Sequence, residues 1–542
     1  MFALGNREEV PTHLARYVKS KVWRGRTVAQ SAVELASRSP ELNIFPGSVP
    51  EYDLGRLVAD AEALAASLQE LGVRSGDVVS FQLPNWQEAA IINIACAFVG
   101  AVVTPIVPIY RDAEVGQMLL DSGSRLHFTA ETFRSFDYAA MLERLRPTLP
   151  QLMSVGFVRG TTSAFNLQDM ISAGRGRKLK AHDVRSSAVK LLLYTSGTTG
   201  RPKGVLHSHD TLTRFIENCN RHWQVKVGEL LLMPSPVTHI TGYGFGLEMP
   251  FISGTRTLLM ESWNAAEAAR LIDAFGVVGT VSATPFLQEL ADVAMRTGTS
   301  LPSLRFFGCG GAAVPPDLVR NANSTFTQSC AFRVFGCSEA PMVTLGWLGR
   351  ENAERAATTD GQIQDYEVRV VDEAGQALAR EQTGEILVRG PAMFLGYADD
   401  AQSRESITED GFFRTGDVGL VTREDSVIIT GRKKDLIIRG GENISPKEVE
   451  DVLHRLEGVA EASVVSMPHP RLGEGICAYV VLRSGHDLDT PKIIGHVAAS
   501  GLAKQKIPER IELVDSLPKT ASGKVRKDIL REEIRRKVTA VD

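Results

Sequence analysis

Apolar residues recur at helical spacing over Leu54–Leu71 (LGRLVADAEALAASLQEL) and stop at Gly72, which predicts a helix with one buried face. Asp77–Leu83 (DVVSFQL) predicts a strand that ends at Pro84-Asn85. The most hydrophobic run, Ala89 to Val107, contains Asn93, Gly100, Thr104 and Pro105, so it reads as a buried helix followed by a strand and not as a membrane span. Val189–Leu193 is a second apolar run, read as a buried strand. Leu304–Phe307 is a third, with a helix opening at Val314-Pro315, and Gly384–Gly390 is a strand ending in a turn. Helix and strand in alternation is the rhythm of α/β layers on a largely parallel sheet.

The pattern changes at Lys433-Lys434-Asp435. Beyond it come a strand at Leu436–Ile438, a capping box with proline at its first helical position (Ser445-Pro446-Lys447-Glu448), and a helix burying Val449, Val452 and Leu453. Strands at Ala462–Val465 and Ala478–Leu482, a helix opening at Thr490-Pro491 and a strand at Ile511–Val514 complete an α+β unit. A chain of 542 residues exceeds one compact core, so we expect two domains, 1–432 and 433–542.

Composition narrows the class. A net charge of −4 leaves no basic footprint and argues against a nucleic-acid partner. The six cysteines (Cys96, Cys219, Cys309, Cys330, Cys337, Cys477) form no CxxC pair, the pattern of free thiols in a reducing compartment and of neither a disulfide framework nor a zinc site. Met1–Val10 carries Glu8 and Glu9 and lacks the apolar stretch of a signal peptide, so a cytoplasmic protein without stable membrane insertion is expected.

The densest chemistry lies at Tyr194-Thr195-Ser196-Gly197-Thr198-Thr199-Gly200-Arg201-Pro202-Lys203-Gly204. Its glycines let the backbone approach a ligand, its hydroxyls and N–H groups donate to oxyanions, and Lys203 adds a positive charge. A Ser/Thr/Gly linker is the alternative, but linkers rarely follow a buried strand. No Gly-Lys-Ser/Thr stands at Walker A spacing. The stretch reads as a polyphosphate cradle.

Further candidates follow. Met233–Gly246 sets His239, Tyr243 and Phe245 among alternating glycines, although a lone histidine in such a loop is most often a packed core residue. Gly308-Cys309-Gly310-Gly311-Ala312-Ala313 matches GxGxxA, yet a dinucleotide site also wants an acid about 20 residues on, and none stands between Asp317 and Glu339. Gly336-Cys337-Ser338-Glu339-Ala340 approaches the GxSxG elbow and raises a serine-hydrolase alternative through Ser338, although the last glycine is missing. Asp417 ends a Thr-Gly turn, where a lone Asp most often serves turn chemistry, although its two acceptor oxygens would suit a diol with Arg432 as companion. Lys524, in Leu517-Pro-Lys-Thr-Ala-Ser-Gly-Lys-Val-Arg-Lys527, otherwise reads as a turn before a basic, solvated helix.

The 194–204 stretch resembles the signature phosphate loop of the adenylate-forming enzymes: acyl-CoA synthetases, nonribosomal adenylation domains and luciferases. The resemblance continues motif by motif to the C-terminus and more loosely through the N-terminal region. LPNWQEA and TPIVPIYRDAEV there resemble cyclohexanecarboxylate and short- or medium-chain acyl-CoA ligases. It implies a large N-terminal domain of two α/β layered subdomains and a small β-barrel-like one, followed by a smaller, mobile α+β domain. The cofactors and substrates it implies are ATP, Mg2+ and coenzyme A.

By the same resemblance Thr195, Ser196, Gly197, Thr198, Thr199 and Lys203 hold phosphates. Gly310, Gly311 and Ala312 form the adenine wall; Phe335 stacks on the nucleoside with Gly336 and Cys337 beside it; Ser338, where Thr is usual, contacts the α-phosphate. Glu339 and Thr195 hold magnesium, and Asp417 with Arg432 holds ribose. His239, Tyr243, Phe245, Pro285, Phe307, Gly308 and Cys309 line the acyl pocket, His239 also gating the nucleotide side. Amino-acid-activating members place an Asp near here; Glu248 is the one acid between Met233 and Pro250, which favours a simple carboxylic acid, mid-sized and apolar or alicyclic. Gly361–Asp365 departs from the family's Gly/Pro-rich loop.

The implied reaction has two steps. A carboxylate oxygen attacks the α-phosphorus and releases pyrophosphate, with Lys524 bridging the two anions. The small domain then rotates about Lys434, withdrawing Lys524 and bringing in Gly440 and Gly441 beside a thiol tunnel, where Arg439 and Arg471 would meet the CoA phosphates. A carrier-protein phosphopantetheine is the rival acceptor. Family members are often dimers, and no feature of this sequence demonstrates one.

Overall fold

The computed structural model describes residues 10–160, 165–180, 183–195, 202–520 and 523–539. Within them, the helix expected at 54–71 runs Leu54–Glu70, capped where the Asp53 side chain accepts the Arg56 N–H. The long apolar run divides into a buried helix, Glu88–Val99, ended by left-handed Gly100, and a strand, Val102–Pro105.

Val189–Thr195, Val102–Pro105, Val78–Gln82, Leu126–Ala130 and Ser154–Val158 lie parallel in that order, and Lys203–Ser208 with Gly396–Tyr397 extend the Val189 edge antiparallel. A second sheet is parallel throughout, in the order Arg256–Leu259, Leu230–Met233, Gly279–Ser282, Phe306–Cys309, Cys330–Arg333. Parallel neighbours need crossover connections, which is why helices alternate with these strands along the chain. Glu367–Val371, Gly384–Arg389, Phe413–Val421 and Val427–Arg432 form an antiparallel third sheet. One apolar cluster, including Leu192, Phe306 and Val388, touches all three. It holds their ends around a common space, and the carboxyl ends of parallel strands are where α/β sheets place ligands.

After Arg432 a single 3-10 turn, Lys433–Asp435, leads into a separate sheet of order Glu442–Ile444, Ile437–Arg439, Gly473–Leu482, Val459–His469, with Arg510–Leu513 parallel beside Gly473–Leu482. Its own core packs Ile437, Val449, Val464, Ile476 and Ile493. The expected capping box does not form. Proline sits at the start of Pro446–Leu453, but Ser445 makes no side-chain cap. Its hydroxyl donates to the Thr430 carbonyl and Glu448 pairs with Lys506, because acceptors and donors from elsewhere in the fold lie closer. Among the described residues no helix is long and apolar enough to cross a membrane, and the six cysteines are free thiols.

Candidate active site

The strand Val189–Thr195 turns back into Lys203–Ser208 with Thr195 opposite Lys203. Ser196, Gly197, Thr198 and Thr199 lie outside the described residues. Thr195 and Lys203 line a cavity of about 520 Å³ at the junction of the three sheets and the C-terminal unit. Lys203 Nζ lies 4.9 Å from the centre of the Tyr397 ring, whose hydroxyl donates to Glu339 Oε1 at 2.7 Å. Tyr397 carried no signal in the sequence, because the two-residue edge strand that places it beside Val205 has no pattern of its own.

Asp417 faces Arg432 across two antiparallel strands, and the Arg432 Nε donates to Asp417 Oδ1 at 2.8 Å. Thr415 Oγ1 accepts the Asp417 N–H at 3.0 Å and fixes the turn. Burial pushes the Asp417 carboxyl up, and the Arg432 guanidinium offsets part of that. Arg432 lines the cavity; Asp417 stands behind it, 4% exposed.

Lys524 reaches the same cavity from the C-terminal unit. Its loop is closed by Thr520, whose N–H donates to the Lys524 carbonyl at 2.7 Å and whose Oγ1 accepts the Lys524 N–H at 3.1 Å. Pro285 does not line the cavity; it packs against Gly523 and seats this loop. Burial, then the nearby Arg432 charge, lowers the Lys524 pKa, while Asp417 and Glu339 raise it. His239 is pushed down to about 3 by burial and by Lys524, so its imidazole is neutral. Lys433 Nζ meets Glu385 at 3.0 Å and Arg414 lies 3.7 Å from the same carboxylate, so Glu385, unremarked in the sequence, clasps the start of the inter-sheet turn.

Gly310, Gly311, Gly336, Cys337, Ser338, His239, Phe245 and Lys434 also line the space. A Cβ on Gly310 would stand 2.5 Å from the Val334 carbonyl oxygen, so the wall there admits no side chain. Asn85 of the LPNWQEA stretch anchors the pocket loop, donating to the Met233 and Ser235 carbonyls at 3.2 and 3.0 Å and accepting the Val237 N–H at 2.8 Å.

Several expected residues lie elsewhere. Strand alternation turns Phe307 and Cys309 into the helix-facing core with Leu287 and Val319, and Gly308 abuts Val281 and Phe332. Phe335 turns into the core while its neighbours Val334 and Gly336 face the cavity, so no stacking face is offered. Ala312 is not part of the wall. Tyr243 is fully buried, bonded to Lys190 and Asn93. Gly440 and Gly441 form an exposed hairpin turn away from the cavity; Arg439 is paired with Glu509 at 2.6 Å, and Arg471 is exposed. For the serine-hydrolase alternative, His207 Nε2 donates to the Ser338 carbonyl at 2.7 Å, and among the described residues no histidine is hydrogen-bonded to the Ser338 hydroxyl as a nucleophile's base would be.

Residues 48–398 match the AMP-binding enzyme family and residues 448–524 the AMP-binding enzyme C-terminal domain. The chain is 32% identical over 536 residues to the medium-chain fatty-acid–CoA ligase of Escherichia coli (strain K12), covering 97% of this chain and 93% of the relative. It is 34% identical over 514 residues to a (7a-methyl-1,5-dioxo-octahydro-1H-inden-4-yl)propanoyl:CoA ligase of Mycobacterium tuberculosis, covering 94% and 99% of the two chains. The solved structure of ATP-bound MatB from Rhodopseudomonas palustris superposes with a TM-score of 0.82 at 27% identity, covering 93% of this chain and 98% of that one.

Proposed function

The chain belongs to the AMP-binding enzyme family, and from that premise we propose that it is an ATP-dependent carboxylic acid:CoA ligase working through an acyl-adenylate, with its domains meeting at 432/433. The observation that carries the reading is one cavity receiving Lys203, Glu339, Arg432 and Lys524 from different sheets and both units. Those groups bring three cationic side chains and a carboxylate to one space, the charges needed to bring an acid and a triphosphate together.

In the first step a carboxylate oxygen of the acid attacks the α-phosphorus. The bond to the bridging oxygen breaks, and pyrophosphate leaves with the electron pair. Lys524 shares the cavity with His239 and Arg432, where it can hold the acid's oxygen against the α-phosphate. Neutral His239 adds no charge to compete with it. In the second step a thiol sulfur attacks the acyl carbonyl and AMP departs as the C–O bond breaks. This needs Lys524 withdrawn, and the Lys433–Glu385 contact would open as the turn at Lys434 rotates.

The residues also fit a magnesium ion. Among the described residues no cluster of His, Cys, Asp and Glu could cage a metal alone. Magnesium instead takes one or two carboxylates plus substrate phosphates and water, and Glu339, steadied by Tyr397, with Thr195 nearby matches that demand. When bound it would neutralise charge on the departing pyrophosphate. Glu339→Gln is expected to weaken binding of ATP with magnesium about tenfold and leave metal-free AMP binding unchanged, as read by calorimetric titration.

Substrates named for the relatives span fatty acids and a bicyclic dioxo acid, so family membership leaves the acid open. We read an acid of medium size with an apolar body, supported by Phe215, Phe245 and Val281 in the cavity wall. CoA is the acceptor in this reading, in the cytoplasm, which the free thiols support. Pyrophosphate release across a panel of carboxylic acids, with CoA and with an acyl-carrier protein in parallel, tests it. Release that depends on acid and ATP, with thioester on CoA, is expected; ATP-independent turnover would overturn it.

A further inference from the structure

Two serines interrupt the apolar wall. Ser235 and Ser282, 6% and 3% exposed, both line the cavity. Ser235 leads toward His239 on the loop anchored by Asn85. Ser282 ends the strand Gly279–Ser282, next to Val281. Their backbone carbonyls are committed, to Asn85 and to the Gly310 N–H. Among the described residues each hydroxyl has one partner, the other serine, at an Oγ–Oγ distance of 3.3 Å. Good O–H···O bonds fall near 2.7–2.8 Å, so this is a slack contact between two groups that could approach closely and do not.

The pair holds two donors and four lone pairs, and one mutual bond uses one of each. One O–H and three lone pairs therefore remain, beside Phe215, Pro236, Phe245 and Val281. An all-hydrocarbon acyl group pressed against them would strip water from the free O–H and give nothing in return, whereas an oxygen in the acyl body would accept that hydrogen. The groups assigned to the nucleotide and its metal, Lys203, Glu339 and Arg432, come from other elements, which leaves the serines to the acyl end.

We infer that Ser235 and Ser282 form a specificity subsite that reads an oxygen substituent, a ketone or hydroxyl, on the body of the acid. The substrate class is thereby an oxygenated aliphatic or alicyclic acid in preference to its plain hydrocarbon counterpart. The inference rests on the acyl-ligase reading and refines it.

Matched acids test it: 4-oxocyclohexanecarboxylate against cyclohexanecarboxylate, and oxoalkanoates against alkanoates of equal length from four to ten carbons. Pyrophosphate release is measured for the unaltered enzyme, for Ser235→Ala, Ser282→Ala and the double variant, with thermal unfolding as a check on folding. The expected result is a kcat/KM preference of about tenfold for the oxygenated member of at least one pair. That preference collapses in the double variant, through a higher KM for the oxygenated acid, while the plain acid is used as well or better. A preference for plain acids throughout, or a ratio unchanged in the folded double variant, would overturn the subsite and leave the ligase standing. Absence of pyrophosphate release from every acid would instead bring down the ligase reading, and the subsite with it.

Discussion

Lys524→Ala is expected to lower acyl-adenylate formation by about 10²–10³-fold, the range for loss of one preorganised charge at a developing transition state, while thioester formation from supplied acyl-adenylate and CoA stays near its original rate. The asymmetry follows from where the side chain sits. Lys524 enters the cavity from the C-terminal unit, its loop braced on Pro285 and closed by Thr520. A group delivered on a module joined by a single short turn acts in the step for which that module is docked. Separate assays, pyrophosphate release for the first half-reaction and thioester appearance for the second, read the two rates. Equal loss of both would remove the two-state account and leave Lys524 a binding residue for either step.

The same lysine sets a pH dependence. Burial and the Arg432 charge lower its pKa from the ordinary lysine value, and adenylation needs the ammonium form. The charge is present below the lowered pKa and is lost as pH rises through it. Adenylation should therefore fall off on the alkaline side earlier than an exposed lysine would predict, and the thioester half-reaction should not share that limb.

What the sequence made legible was the placement of strands that run into turns at the cavity. Thr195 and Lys203 stand at the mouth of a buried strand pair, and Asp417 and Arg432 are register partners; both placements are local, and local patterns carry them. The failures share a cause too. Tyr243 sits among glycines, which free space on every side, and the choice of side was made by a buried charge network elsewhere in the fold. Phe335 and Phe307 depend on which face of a strand meets the cavity, a matter of pairing partners and not of residue type. Ser445 had the right neighbours for a cap and was taken by the Thr430 carbonyl. Ser235 and Ser282 are 47 positions apart and meet between a loop and the end of a strand, so nothing along the chain could join them.

Lys190→Met is expected to destabilise the N-terminal domain by about 3–5 kcal/mol, because it leaves an uncompensated charge in the interior. Lys190 and Glu248 are 0% and 1% exposed, with Nζ 2.5 Å from Oε1. Lys190 also donates to Asn93 Oδ1 at 2.8 Å and to the Tyr243 hydroxyl at 2.7 Å, and that hydroxyl donates to Asn93 at 2.6 Å. A lysine within an apolar strand, Asn93 in the apolar run and Glu248 as a lone acid are traces of this network in the sequence, but nothing along the chain joins them. The network ties three pieces together: the strand that ends at Thr195, the helix Glu88–Val99, and the π-helical turn Tyr243–Glu248 that presents Phe245 to the cavity. Gly244 lets that turn pack flush on Phe215, where a Cβ would collide with the ring. Breaking the tie should therefore also raise KM for the acid, since the phosphate strand and the acyl wall lose their common anchor. The double variant Lys190→Met with Glu248→Gln removes both charges, and replacing a buried pair by neutral groups is often close to neutral. Urea unfolding followed by N-terminal tryptophan fluorescence should thus find the double variant more stable than Lys190→Met alone. If the single variant were the more stable of the two, the pair would not be holding strand to wall, and the position of Phe245 would need another cause.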